Sequence, residues 1–359
     1  MGGILLKAAL RKSLAGINHV APVPPIGDSS LAASVCRQVE SDFGLLAPPI
    51  ALHSPAPDVM AACWVMLREA FVVTDRTDRD TKEAVATAVS LCNACSYCVD
   101  VHSMTLEAFV TDDADDPEND LRVRGLADWA RRTASATTTP CCPPFPATHG
   151  PELIGVVLAF HYINRMVNVF LPDSPLPRMI PPAARGTALR MLGKLMRSAT
   201  RGPHRPGAAL DFLPAAPLPA DLPWARDNSR VADAFARATA AIDAAGARSV
   251  PDSVRALVSC MLDDWIGDPP GLSRTWVTDA VAELPVRDRP AGQLAVLTAM
   301  ASFQLDTPTI ARFRETQPDD RSLVELTSWA SMAAARRIGS WIAVGQCAHD
   351  HCTDNPVGT

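Results

Sequence analysis

Apolar residues recur along this chain at the three-and-four spacing of helices, and over no stretch do they alternate with polar ones as a half-buried strand requires. Between Asp58 and Phe71 the residues Met60, Cys63, Trp64, Met66 and Leu67 fall at helical intervals. From Lys82 to Cys92, Val85, Ala88, Val89 and Cys92 sit at i, i+3, i+4 and i+7, a stripe that predicts a helix with all four turned to a core. The same reading predicts helices over 31–43, 96–110, 121–132 and 153–171. In the second half it predicts them over 229–245, 253–266, 275–284, 290–303, 307–316 and 321–344. Asn93-Ala94 reads as a break between two of them. Polar or proline-rich stretches intervene at 48–57, 74–80, 112–120 (an acidic loop) and 137–151, which holds Cys141 and Cys142 as free thiols. The fold class is all-α.

Many of the 32 prolines cluster, and the stretch 201–224 holds six of them. It divides the chain into a first domain over 1–200, a linker over 201–224, a second helical domain over 225–345 and a tail over 346–359. Sliding the chain by 206 residues sets Ser96-Tyr97 on Ser302-Phe303 and Asp100 on Asp306, so two diverged helical repeats are one reading. In that register Cys95, Cys98, His102 and Glu83 fall on Ala301, Gln304, Pro308 and Arg289, and the second copy is a scaffold without reactive groups.

Composition supports helices. Apolar residues make up 48% of the chain but aromatics only 5%, which favours packing through small side chains over a β-sandwich. The net charge of -6 and a pI near 5.7 leave no basic surface for nucleic acid. The N-terminal 1–14 is broken by Lys7, Arg11 and Lys12, the pattern of an amphipathic helix rather than a signal peptide. The 19 residues 153–171 would suit a membrane by length, but His161, Asn164, Arg165 and Asn168 stand in their middle and predict a core helix instead. The expected location is cytoplasmic, with no membrane partner.

Ten cysteines are unevenly spaced. Cys36, Cys63 and Cys260 stand singly among apolar residues and read as buried, inert thiols. Cys95-Ser96-Tyr97-Cys98 opens a helix, which puts two thiols within disulfide reach and lowers a thiol's pKa through the helix N-terminus. His102, four residues after Cys98, shares its face and can exchange a proton with that sulfur. Glu83 lies twelve residues before Cys95, about 18 Å away along a straight helix, so it reaches His102 only if the chain reverses at Asn93-Ala94. A carboxylate there would orient the imidazole. Cys92, Cys95, Cys98 and His102 also spell C-x2-C-x2-C-x3-H, a zinc or iron–sulfur pattern, although Cys92 fits the core stripe. His161, Asn164 and Arg165 either line the pocket or form a structural cluster, because a buried Arg needs partners. Tyr97 is a further pocket candidate, with simple packing beside the thiols as the other reading. Arg68-Glu69 reads as a helix-surface or inter-helix pair. Cys347, His349, His351 and Cys352 form a solvated tail, with weak metal binding or a redox role as the other reading.

Glu83, the Cys95/Cys98 pair and His102 at these spacings resemble the AhpD-like alkylhydroperoxidases of the carboxymuconolactone decarboxylase superfamily. Val89-Ser90, Asn93-Ala94-Cys95, Tyr97-Cys98 and His102-Ser103 strengthen the likeness. His161-Tyr162-Ile163-Asn164-Arg165-Met166 resembles longer bacterial members. The resemblance implies a helical bundle that assembles into a homo-oligomer, no cofactor, a hydroperoxide substrate and a thiol reductant such as a lipoylated protein. It also implies Cys98 as the peroxide-attacking thiolate, Cys95 as its disulfide partner, and Glu83 with His102 as the proton relay. Tyr97 stands where well-studied peroxidases often have His, a departure that bears on the proton relay and on turnover. The decarboxylase branch lacks the cysteine pair, so lactone decarboxylation is not expected. A non-catalytic redox sensor or interaction protein, and a Cys3His metal-stabilised structural protein, are the other two readings of the same residues.

Overall fold

The computed structural model describes residues 14–22, 30–110, 117–140, 142–176, 179–199, 202, 204–271 and 273–347. No strand occurs among them. Helix α1 (Leu31–Phe43) starts where the Ser30 hydroxyl accepts from the Ala33 N–H at 3.2 Å, and it ends at Gly44, whose φ of 76° forms a left-handed cap. Helix α2 (Pro48–Ala51) is a single turn inside the stretch expected to be a plain connection, with proline in its first turn. Helix α3 (Pro57–Leu67) runs on into a π-turn over Arg68–Val72. Then come α4 (Arg79–Cys92), α5 (Ser96–Val110), α6 (Pro117–Arg132), α7 (Gly150–Phe170) and α8 (Pro182–Ala199). The second half holds α9 (Ser229–Ser249), α10 (Asp252–Asp264), α11 (Thr275–Ala280), α12 (Arg289–Ala301), α13 (Thr307–Thr316) and α14 (Asp320–Cys347).

The sequence reading differs from this order at several points. Helix α6 begins at Pro117, inside the expected acidic loop, because proline suits a first helical position. Helix α8 was not foreseen, since Gly186 and Gly193 dilute the stripe made by Leu189, Leu192 and Met196. Residues 1–13, Cys141 and the tail residues His349, His351 and Cys352 lie outside the described residues, and Cys347 only closes α14.

Helix α7 occupies the middle of the molecule and is buried along almost its whole length. By length and composition it could cross a membrane, yet 94% of its apolar window is covered by protein. It packs against α14, α4, α3 and the π-turn, and one main hydrophobic core runs through both halves of the chain. Each Leu, Ile or Phe that α7 buries contributes about 1.5–3 kcal/mol. The proline-rich stretch between the halves is itself held down. Glu69 accepts from the Gly207 N–H at 2.9 Å, Arg237 donates to Leu213 O at 2.6 Å, and Leu213, Leu222 and Trp224 are buried.

Of the two readings of Arg68 and Glu69, helix surface or inter-helix pair, the structure bears out the second, and both residues are interior. They pair with each other at 2.6 Å, Arg68 reaches Asp42 at 2.6 Å, and Arg230 reaches Glu69 at 3.5 Å. Cys36 and Cys63 are buried as expected, but Cys260 is exposed on α10, and Cys92 is exposed where α4 clears the core.

The expected break between α4 and α5 is present. Ala94 takes φ of 50°, the left-handed region, and the Cys95 N–H returns to Ser90 O at 3.0 Å. Two residues thereby fold α5 back along α4. A left-handed alanine costs about 1–2 kcal/mol, which gives substitutions here opposite signs. Ala94→Gly should raise the unfolding free energy by up to about 1 kcal/mol, and Ala94→Val should lower it by about 1 kcal/mol or more, read from denaturant midpoints.

Candidate functional site

The tight turn places both cysteines at the start of α5. The Cys95 thiol donates to the Cys98 sulfur at 2.7 Å, so closing a disulfide needs less than about an ångström of travel. The two are not equivalent. Cys98 forms part of the wall of a pocket, whereas Cys95, 1% exposed, sits behind it. The rest of the wall is apolar apart from His102 and the Tyr97 hydroxyl, with Phe71, Phe160, Ile163 and Met196 prominent. The cavity itself is small, about 110 Å³.

The reversal also brings Glu83 to His102, meeting the condition set by the sequence: His102 Nδ1 lies 2.7 Å from Glu83 Oε2. The other carboxylate oxygen takes a hydrogen bond from Arg79 Nε at 2.9 Å, and Arg79 in turn lies 3.9 Å over the Phe71 ring. Burial opposes ionisation of Glu83, but Arg79 and His102 outweigh it and hold the carboxyl below its usual range. An anionic Glu83 keeps the proton on Nδ1 and leaves Nε2 of His102 as the free nitrogen. Phe71 and Phe160 pack edge-on against the imidazole, with ring centres at 5.5 and 4.7 Å. Arg79 lies in a stretch whose polar, turn-like pattern hides it; its i, i+4 spacing to Glu83 is the signal in the sequence that points to it.

One expectation is overturned. The helix start and His102 were expected to lower the Cys98 pKa, but burial pushes this thiol well above its usual range. A side-chain hydrogen bond from Asn164 works in the opposite direction. Burial likewise raises Tyr97, so its hydroxyl stays neutral.

The remaining candidates divide. Tyr97 lines the pocket. His161, Asn164 and Arg165 lie behind the turn, in a buried network with Asn93, Ser90 and Asn168. Leu192 and Met196 of the unforeseen α8 complete the outer wall. Cys92 hydrogen-bonds to Arg131 O at 3.5 Å instead of joining Cys95 and Cys98, and among the described residues no three metal-type ligands converge.

No family model matches the chain. It is 34% identical to alkyl hydroperoxide reductase Rv2159c of Mycobacterium tuberculosis over an alignment 359 positions long, which covers 95% of this chain and 99% of that protein. Likeness of that extent, together with the all-helical fold, means that the chain belongs to the AhpD-like alkylhydroperoxidases, enzymes of the peroxidase type.

Proposed function

We propose that the chain reduces organic hydroperoxides through a sulfenic acid at Cys98 and a Cys95–Cys98 disulfide. The observation that carries this reading is positional: Cys98 is on the wall of an apolar pocket, with a second thiol 2.7 Å behind it. Cys98 gives its proton to Nε2 of His102, whose Nδ1 is steadied by Glu83. The thiolate attacks the terminal peroxide oxygen, an S–O bond forms as the O–O bond breaks, and the imidazolium returns the proton to the departing alkoxide. Sulfur is oxidised by two electrons and the peroxide is reduced to an alcohol. Cys95 then attacks the sulfenic sulfur, its proton leaves with the hydroxide as water, and the disulfide closes. A thiol reductant that enters by the pocket attacks Cys98 first, since Cys95 is enclosed. A lipoylated partner, whose dithiol sits on a slim arm, suits that entry.

The redox-sensor reading shares the disulfide and differs in turnover. With a dithiol reductant, catalytic peroxide consumption supports the enzyme reading, and a single stoichiometric oxidation supports the sensor. Cys98→Ser should abolish consumption, and Cys95→Ser should stop turnover while leaving a sulfenic acid that dimedone traps. Wild-type rates in both variants would overturn the assignment. Glu83→Gln should lower kcat/KM about tenfold or more by loosening the imidazole.

The pH dependence follows from the raised thiol. Below its pKa the sulfur stays protonated and unreactive, so single-turnover oxidation should climb about tenfold per pH unit from neutrality upward. A plateau beginning below neutrality in stopped-flow traces would contradict it.

A further inference from the structure

The inner and outer faces of α8 differ in kind. Gly193 lets the helix lie directly on α5, since a Cβ there would collide with Met104 O, and Leu192 and Met196 complete the pocket wall. Arg197 is spent on α5 as well, its guanidinium 5.4 Å from the centre of the Phe109 ring. The other face is open. Thr187, Arg190, Met191 and Lys194 are exposed and fall together on one side at helical spacing. Met191 is 68% exposed, and Met179, just before the helix, is 82% exposed.

Charge sets this face apart too. Residues 174–210 hold seven Lys or Arg and not one Asp or Glu, in a chain whose net charge is -6. The helix therefore has none of the i, i+4 carboxylates that commonly accompany surface cations. Among the described residues neither Arg190 nor Lys194 has a carboxylate within ion-pair distance, and Arg190 bonds only to the Thr187 hydroxyl, at 3.3 Å. Cations without partners, flanked by exposed thioether side chains, match an anionic bilayer. Headgroup phosphates take the charges, and the methionines enter the boundary between headgroups and acyl chains. An acidic protein would answer the charges alone.

We propose that the exposed face of α8, with Arg190, Met191 and Lys194, docks the chain on an anionic lipid surface. The contact is peripheral and needs no spanning segment, so it departs from the expectation of no membrane partner while α7 stays a core helix. For its purpose it rests on the peroxidase reading. Apolar hydroperoxides partition into acyl chains, and docking through a helix that also walls the pocket sets Cys98 beside that store.

The test floats the reduced full-length chain with vesicles on a density gradient. Vesicles of phosphatidylcholine mixed with phosphatidylglycerol should carry the chain upward, and vesicles of phosphatidylcholine alone should not. Raising the salt from about 0.05 to about 0.5 M should release it. Arg190→Gln with Lys194→Gln should weaken binding about tenfold or more, and Met191→Ser about threefold, all at exposed positions where the circular dichroism spectrum stays unaltered. Absence of binding to the anionic vesicles, equal binding to the neutral ones, or wild-type binding by the double variant would each overturn the proposal. Turnover is scored separately on tert-butyl hydroperoxide without vesicles. A wild type inactive there would remove the peroxidase reading and leave the docking result standing.

Discussion

The site depends on a chain reversal completed within two residues. Asn93 and Ala94 turn α5 back along α4, and without that reversal Glu83 and His102 could not share a hydrogen bond. The same turn sets both sulfurs at a helix start and aims Cys98 outward. It is fastened from behind as well. Asn168 donates to Asn93 O at 2.9 Å and to Ser302 at 3.0 Å, and Arg165 reaches Ala299. The second half of the chain thus has a structural task at the site, because the end of α12 and the residue after it anchor the network that carries the turn.

Buried charge shapes the first half to a degree unusual for so apolar a core. Helix α4 carries two buried ion-pair sites side by side. Glu83 joins Arg79 and His102 at the pocket, while Lys82, one residue before, meets Glu152 of α7 at 2.7 Å and donates to Val73 O at 2.6 Å. Burial brings Lys82 down to about 8 even with that partner. Glu152 also takes the Thr77 hydroxyl at 2.7 Å and lies 3.2 Å from Arg230, which ties α4, α7 and α9 at one end. Such pairs add little net stability, but removing one partner strands a charge and costs about 3–5 kcal/mol. They fix where α4 starts, and through it where Glu83 stands.

Much of this was legible beforehand. The bounds of α1, α5 and α13 follow from periodicity alone, and the reactive residues from their spacing, with the role of Glu83 conditional on the turn. What escaped was whatever depends on depth. The stripe through Val85, Ala88 and Val89 gives the buried face of α4, but no period says that the core ends before Cys92. Cys260 misled in the same way. A helix start favours a thiolate, but a one-dimensional reading does not register the desolvation that reverses the balance at Cys98. For Arg165 the sequence leaves a pocket residue and a structural cluster equally open, and only the fold shows its partners to be amides and carbonyls.

The π-turn at Arg68–Val72 has a consequence of its own. Winding one extra residue into a helix offsets every side chain beyond it by about 100°. Phe71 lies under Arg79 and against His102, while Glu69 points the other way into the interior ion network, because the widened turn serves both sides at once. Loss of a single codon here would therefore act as a rotation of the scaffold, swinging the aromatic floor from beneath the guanidinium without touching any reactive group.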